Sequence, residues 1–192
     1  MKPLRILIAD DESIRLLSLR KQLAALGHQV VAEASTGDEA VTLTSSTQPD
    51  LAILDIKMPV MDGIEAAEKI TQARPIPIIL LTAYGEAQLV ERAAQANISA
   101  YLMKPVAEED LLPAITLALA RFRQFQELRQ EVADLREALE ARKTIERAKG
   151  ILMRRLNLTE EEAFRRLQKQ SQDTNRRLAQ VAEAIVVADK FL

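Results

Sequence analysis

The 192-residue chain contains no cysteine, which excludes disulfides, cysteine–zinc sites and thiol catalysis. Its one histidine is His28, so multi-histidine metal sites and most histidine acid–base chemistry are excluded as well. Long apolar runs are also missing. Residues 76–81 form one of the longest, far short of the roughly 18–20 residues that span a bilayer. The N-terminus, MKPLRILIADDES, turns acidic within ten residues and does not read as a signal peptide. Proline disappears after Pro113, and Gly150 is the only glycine beyond it, so the C-terminal part has the composition of helices. What is present is ordinary: 48% hydrophobic and 28% charged residues, the usage of a globular chain of one or two domains. The expectation is a cytoplasmic protein with no membrane association.

The net charge of −2 conceals two halves. Residues 1–120 carry 10 Lys and Arg against 16 Asp and Glu, and residues 121–192 carry 16 against 12. Such an asymmetry points to two parts with different partners.

Hydrophobic patterning changes at the same place. Short apolar runs at 4–9, 30–34, 51–54, 76–81 and 100–103 lack strict alternation, as strands buried on both faces do. Helix-like stretches lie between and after them, at about 12–26, 36–46, 63–72, 86–95 and 108–122. Five such βα units predict an α/β fold, a five-stranded doubly wound parallel sheet. His28 follows Gly27 at a predicted turn and is expected to be exposed there. Further on, Phe125, Leu128, Val132, Leu135 and Leu139 are spaced as a coiled-coil seam about two heptads long, the expected dimerisation surface. Thr159 and Glu162 form a capping box, and a last helix is expected from near Thr174. No Gly/Ser/Pro linker intervenes, so a continuous helix is expected to join the parts. The domains expected are 1–122, a coiled-coil linker helix over 123–141 and an all-α three-helix domain over 142–192.

In an open α/β sheet, ligands bind beyond the carboxyl ends of the strands, at the topological switch point. Here the first predicted strand ends in Asp10-Asp11, the third in Asp55, the fourth in Thr82 and the fifth in Lys104-Pro105. An Asp at one strand end is ordinarily a turn or cap residue, but Asp10, Asp11, Asp55, Thr82 and Lys104, at the ends of four of the five strands, form a set. Converging carboxylates repel one another, and a hard cation such as Mg²⁺ relieves that repulsion. A carboxylate beside the metal can attack phosphorus and form an aspartyl-phosphate. Lys104 would then pair with the phosphoryl group and Thr82 would hydrogen-bond to it.

These residues resemble the receiver domain of two-component response regulators over about residues 4–122. Asp10-Asp11 resembles its acidic metal-binding pair, and residues 55–63, DIKMPVMDG, resemble its phosphoacceptor motif. Leu81-Thr82-Ala83 and Lys104-Pro105 resemble its switch threonine and its lysine with the following proline. The resemblance implies a flavodoxin-like fold and phosphorylation of Asp55 by a sensor histidine kinase. It implies Mg²⁺ bound by Asp10, Asp11, Asp55 and the backbone carbonyl of Lys57, with a cis Lys104–Pro105 bond. Thr82 and Tyr101 would be the switch residues. A receiver of this kind is a switch and not an enzyme.

The tail concentrates 11 basic residues against 5 acidic ones over residues 142–177, which favours a phosphate-binding surface over a merely solvated face. Its aromatics, Phe122, Phe125, Phe164 and Phe191, offer no platform for stacked bases. The turns over 156–159 and 171–175 lack the glycine common in a helix-turn-helix. The segments 145–153, IERAKGILM, and 159–167, TEEEAFRRL, with the ending VAEAIV, resemble the ANTAR domain over about 135–190. That resemblance implies a dimer, promoted by phosphorylation, that binds stem-loops in leader transcripts and antiterminates transcription. Lys149, Arg165, Arg166, Lys169, Arg176 and Arg177 are the expected RNA contacts, with Asn175 a base reader or simply a helix cap. Gly150, costly inside a helix by about 1 kcal/mol, is expected to mark close helix packing. The alternatives are a DNA-binding response regulator and a receiver with a helical protein-interaction or dimerisation output.

Overall fold

The computed structural model describes residues 2–83 and 98–189. They form two compact units that divide between residues 126 and 127. The first is built on five parallel strands: β1 (Arg5–Ala9), β2 (Gln29–Ala34), β3 (Leu51–Asp55), β4 (Ile78–Thr82) and β5 (Ala100–Met103). Their order across the sheet is β2-β1-β3-β4-β5, the flavodoxin-like arrangement. The crossovers include α1 (Ser13–Ala25), α2 (Gly37–Thr47) and α3 (Gly63–Ala73). The helix expected at 86–95 lies outside the described residues.

The strands lack alternation because both sheet faces are covered. Leu7, Ala9, Leu54 and Leu80 join a core with Ala40 of α2 and Ile64, Ala67 and Ile70 of α3. Their neighbours Ile6, Ile8, Ile53 and Ile79 turn to the other face. There they meet Leu16, Leu19 and Leu23 of α1, and Leu111, Ile115 and Ala118 of α4 (Glu108–Leu156). Each fully buried Leu or Ile contributes roughly 1.5–3 kcal/mol. In β1, β3 and β4 the strand interiors are wholly apolar, so polarity appears at their ends, which places Asp10, Asp55 and Thr82 at one edge of the sheet, with Lys104 following β5 there.

His28 departs from expectation, for it is buried. Gly27, at φ 80°, turns the chain out of α1 in a conformation that suits glycine. The His28 N–H then donates to the Leu23 carbonyl at 2.9 Å, and its Nδ1 accepts from the Leu4 N–H at 3.3 Å. The imidazole so ties the entry of β1 to the end of α1. Burial holds its pKa below the ordinary histidine range. As pH falls below about 6.5, the unfolded chain takes up the proton that the folded chain resists. The stability linked to neutral His28 is therefore complete above that pH and lost below it. His28→Gln is expected to flatten the acid limb of the urea midpoint plotted against pH; identical slopes for the two proteins would contradict this.

The second unit comprises the C-terminal part of α4, then α5 (Glu160–Thr174) and α6 (Leu178–Asp189). α4 is a single 49-residue helix, so the expected continuous helix is present. The capping box forms: Thr159 Oγ1 accepts from the Glu162 N–H and the Glu162 carboxylate accepts from the Thr159 N–H. The final helix starts at Leu178, later than expected, because Thr174 still belongs to α5 and Asn175 ends that helix in the left-handed conformation. Ala148, Leu167, Val181 and Ala182 form its core. Gly150 does not mark close packing: among the described residues outside its own helical backbone, an added Cβ would meet only Arg154 Nη1, at 3.7 Å. Among the described residues, no helix is long and apolar enough to cross a membrane.

Candidate functional site

β1 lies between β2 and β3, so the chain leaves the sheet to either side of it and a crevice opens beyond the strand ends. Asp10 follows β1 and is buried. Its N–H donates to the Ala34 carbonyl at 3.1 Å, which fixes the carboxylate at the crevice. Asp55, the last residue of β3, is buried beside it. Asp11 is exposed. These three residues can present carboxylate oxygens that all lie within 4.8 Å of one another.

Lys104 closes the group. Its N–H donates to the Thr82 carbonyl at 2.8 Å, extending the β4–β5 pairing by one step, and the bond to Pro105 is cis. Its ammonium reaches Asp10 Oδ2 at 3.0 Å and Asp55 Oδ2 at 2.7 Å. Burial pushes the Asp55 carboxyl above the usual range, and nearby Asp10 adds to this. Lys104 and the Lys57 N–H act in the opposite direction but do not cancel the effect. Three carboxylates meet here, two of them buried, and Lys104 balances only one of those charges. A set of hard oxygen donors with surplus charge fits a small divalent cation.

A cleft of about 260 Å³ opens here, lined by Asp11, Glu12, Arg15, Asp55, Lys57, Ala83 and Lys104. Thr82 is buried at the end of β4, and its hydroxyl donates to the Ala83 carbonyl at 3.3 Å. Tyr101 is half-buried on β5 opposite Leu80, against the core shared with α2 and α3. Arg15, which the sequence reading did not single out, also enters the crevice. Its Nη1 lies 3.3 Å from Asp10 Oδ1 and 3.9 Å from Asp55 Oδ2. The available signal was its place early in a helix that starts directly after an acidic cluster.

The basic residues of the second unit divide. Arg165, Arg166, Lys169, Asn175, Arg176 and Arg177 are exposed on α5 and the turn after it. Arg166 and Arg176 border a groove of about 340 Å³ whose floor includes Leu167 and Ile185. Asn175 caps α5 at φ 51°. Lys149 is placed differently, because it is buried. Its ammonium binds Glu146 at 2.9 Å and Glu160 at 2.7 Å, and lies 5.9 Å from the centre of the Phe164 ring. It joins α4 to the start of α5 and has little left to offer a phosphate. Along α4, Leu128, Val132, Leu135 and Leu139 are 41–64% exposed, whereas Phe125 is half-buried. The seam is therefore an open apolar stripe within one chain.

Residues 6–116 match the family described as the response regulator receiver domain, and residues 133–186 match the ANTAR domain. The transcriptional regulatory protein PdtaR of Mycobacterium tuberculosis is 46% identical over 184 residues, covering 96% of this chain and 90% of that protein. The chemotaxis protein CheY of Bacillus subtilis is 38% identical over 116 residues, 60% of this chain and 97% of that protein. Among solved structures, the signal receiver domain of a modulated diguanylate cyclase from Desulfovibrio desulfuricans G20 is 31% identical. It covers 64% of this chain and 98% of its own, with a TM-score of 0.60. The CheX-CheY-BeF3-Mg+2 complex from Borrelia burgdorferi is 28% identical, covering 59% of this chain and 87% of its own, with a TM-score of 0.56. With the acidic crevice on the parallel sheet and a helical unit after it, the chain belongs to the response regulators that join a receiver domain to an ANTAR domain, regulators of transcription and not enzymes.

Proposed function

We propose that this chain is a phosphorylation-controlled, RNA-binding antiterminator. The observation that carries the reading is one chain in which a carboxylate trio closed by Lys104 is followed by helices with exposed basic residues. Asp55 attacks the phosphorus of a phosphohistidine on a sensor kinase. An Asp55 O–P bond forms, the imidazole N–P bond breaks, and the imidazole nitrogen keeps the electron pair. Asp10, Asp11, Asp55 and the Lys57 backbone carbonyl would hold Mg²⁺, which would supply charge neutralisation for the phosphoryl oxygens. The Lys104 ammonium pairs with one of those oxygens, the Thr82 hydroxyl donates to another, and Tyr101 turns inward as Thr82 moves.

The output is a dimer. A pair of helices joined along Phe125, Leu128, Val132, Leu135 and Leu139 covers the open stripe. In a parallel, in-register pair, Glu131 at a g position faces Arg136 at the partner's e position. An antiparallel pair would instead set Arg129, Arg136 and Lys143 against one another, which disfavours it. Parallel helices carry both RNA-binding surfaces in the same direction, so two neighbouring hairpins are held together and avidity supplies the affinity. Arg165, Arg166, Lys169, Arg176 and Arg177 meet the RNA backbone, and Asn175 lies among them. Residues 1–122 serve as the cytoplasmic receiver, 123–141 as the linker and 142–192 as the RNA-binding domain.

The test is binding to a leader RNA with two adjacent hairpins, with and without acetyl phosphate and Mg²⁺, at two salt concentrations. Phosphorylation should tighten binding, one hairpin alone should bind more weakly, and affinity should fall steeply with salt. Equal or tighter binding to duplex DNA would favour a DNA-binding regulator. No binding to either nucleic acid would overturn the RNA reading and leave a protein-interaction output.

A further inference from the structure

Lys104 and Arg15 both pair with Asp10 and Asp55 in the acidic crevice, and they are mounted differently. Lys104 is fixed: its N–H is bonded to the Thr82 carbonyl, and its side chain is only 16% exposed. Arg15 reaches in from α1 on a long stem, with its side chain 43% exposed. Its Nη1 lies across Asp10 Oδ1 and Asp55 Oδ2, at 3.3 and 3.9 Å, while Nη2 pairs with the exposed carboxylate of Glu12. Asp10 is thus engaged on both oxygens, Oδ2 by Lys104 and Oδ1 by Arg15 and the Glu12 N–H.

We propose that Arg15 is a displaceable internal counter-ion that competes with the divalent cation for Asp10 and Asp55. It thereby sets the Mg²⁺ concentration at which the phosphoacceptor site is loaded. The inference rests on the reading of Asp10, Asp11 and Asp55 as a Mg²⁺ site. A guanidinium and a metal ion seek the same carboxylate oxygens, and each lowers the negative potential that attracts the other. Arg15 can withdraw at small cost, because Glu12 and water offer it other partners at the mouth of the crevice. Lys104 is held more firmly, with its side chain only 16% exposed and its N–H bonded to the Thr82 carbonyl. The site therefore keeps one cation permanently and exchanges the other for metal, which keeps two buried carboxylates compensated before loading.

The experiment is calorimetric titration of Mg²⁺ into the unphosphorylated full chain, comparing wild type with Arg15→Met, Arg15→Gln and Asp11→Asn. Both Arg15 variants are expected to bind Mg²⁺ about three- to tenfold more tightly than wild type, the range set by a partly exposed ion pair. The same shift from two differently shaped neutral side chains identifies charge, and not packing, as the cause. Asp11→Asn should weaken binding, which locates the cation at the carboxylate trio. The Mg²⁺ concentration that half-saturates phosphorylation by acetyl phosphate should fall by the same factor in the Arg15 variants. If Asp11→Asn weakens binding but the Arg15 variants bind no more tightly than wild type, the counter-ion role is refuted and the metal site stands. If wild type binds no Mg²⁺, or Asp11→Asn has no effect, the metal reading itself fails and the competition fails with it.

Discussion

With acetyl phosphate and Mg²⁺ present, the wild-type chain is expected to gain the mass of one phosphoryl group and Asp55→Asn to gain none. Asparagine preserves the shape and can still accept from Lys104 at the position where Asp55 Oδ2 lies 2.7 Å from that ammonium. The fold is retained, but the anionic nucleophile is lost. Asp10 is an inadequate substitute, because it is buried and its two oxygens are engaged by Lys104 and the Glu12 N–H. The loss should extend to RNA affinity: in acetyl phosphate and Mg²⁺, the variant should bind two-hairpin RNA as weakly as the unphosphorylated wild type. Intact-mass spectrometry decides the first point. A full phosphoryl adduct on Asp55→Asn would move the acceptor to another carboxylate and sink the assignment.

Gly63→Ala should be the most damaging single-methyl change near the site. Gly63 begins α3, and its N–H donates to the Ile56 carbonyl at 2.9 Å. A Cβ there would lie 2.0 Å from the Asp55 carbonyl oxygen and 2.9 Å from its carbonyl carbon. The obstacle is backbone, so no rotamer change relieves it, and either α3 or the end of β3 must move. Overpacking of this kind costs about 3 kcal/mol. A displacement of about 1 Å at a reacting group can cost roughly 10²-fold in rate. Urea unfolding and the rate of phosphorylation by acetyl phosphate both test this. Wild-type values for both would mean that the contact relaxes freely and that Asp55 is not held from this side.

The acidic crevice and the basic helical surface belong to different units of the chain, and they were legible in the sequence to different degrees. The receiver crevice was readable because a doubly wound sheet sends every strand's carboxyl end to one edge. Locating Asp10, Asp11, Asp55, Thr82 and Lys104 at successive strand ends was therefore enough to bring them together. The C-terminal unit gave up its periodicity, its capping box and its unbroken helix, all of which depend on neighbours three or four residues apart. Its contacts were harder to read. Lys149 stands one turn after Glu146, which hints at an ion pair. Its second partner, Glu160, arrives only because Asn157, at φ 52°, helps turn the chain between α4 and α5. Charge alone grouped Lys149 with Arg165 and Lys169, and burial separates it from them.

The sequence by itself determined the parallel α/β sheet, the acidic and lysine residues at its edge, the unbroken helix and the apolar seam along it. Each follows from local spacing, since periodicity records which side of a strand or helix must leave water. Tertiary structure alone decided that His28 is buried beneath Leu4, that Gly63 abuts the Asp55 backbone, and that Arg15 enters the crevice. These outcomes depend on which distant segment fills the space beside a residue. A side chain with both an apolar stem and a polar end can satisfy either surroundings, so its own neighbours in sequence do not settle where it goes.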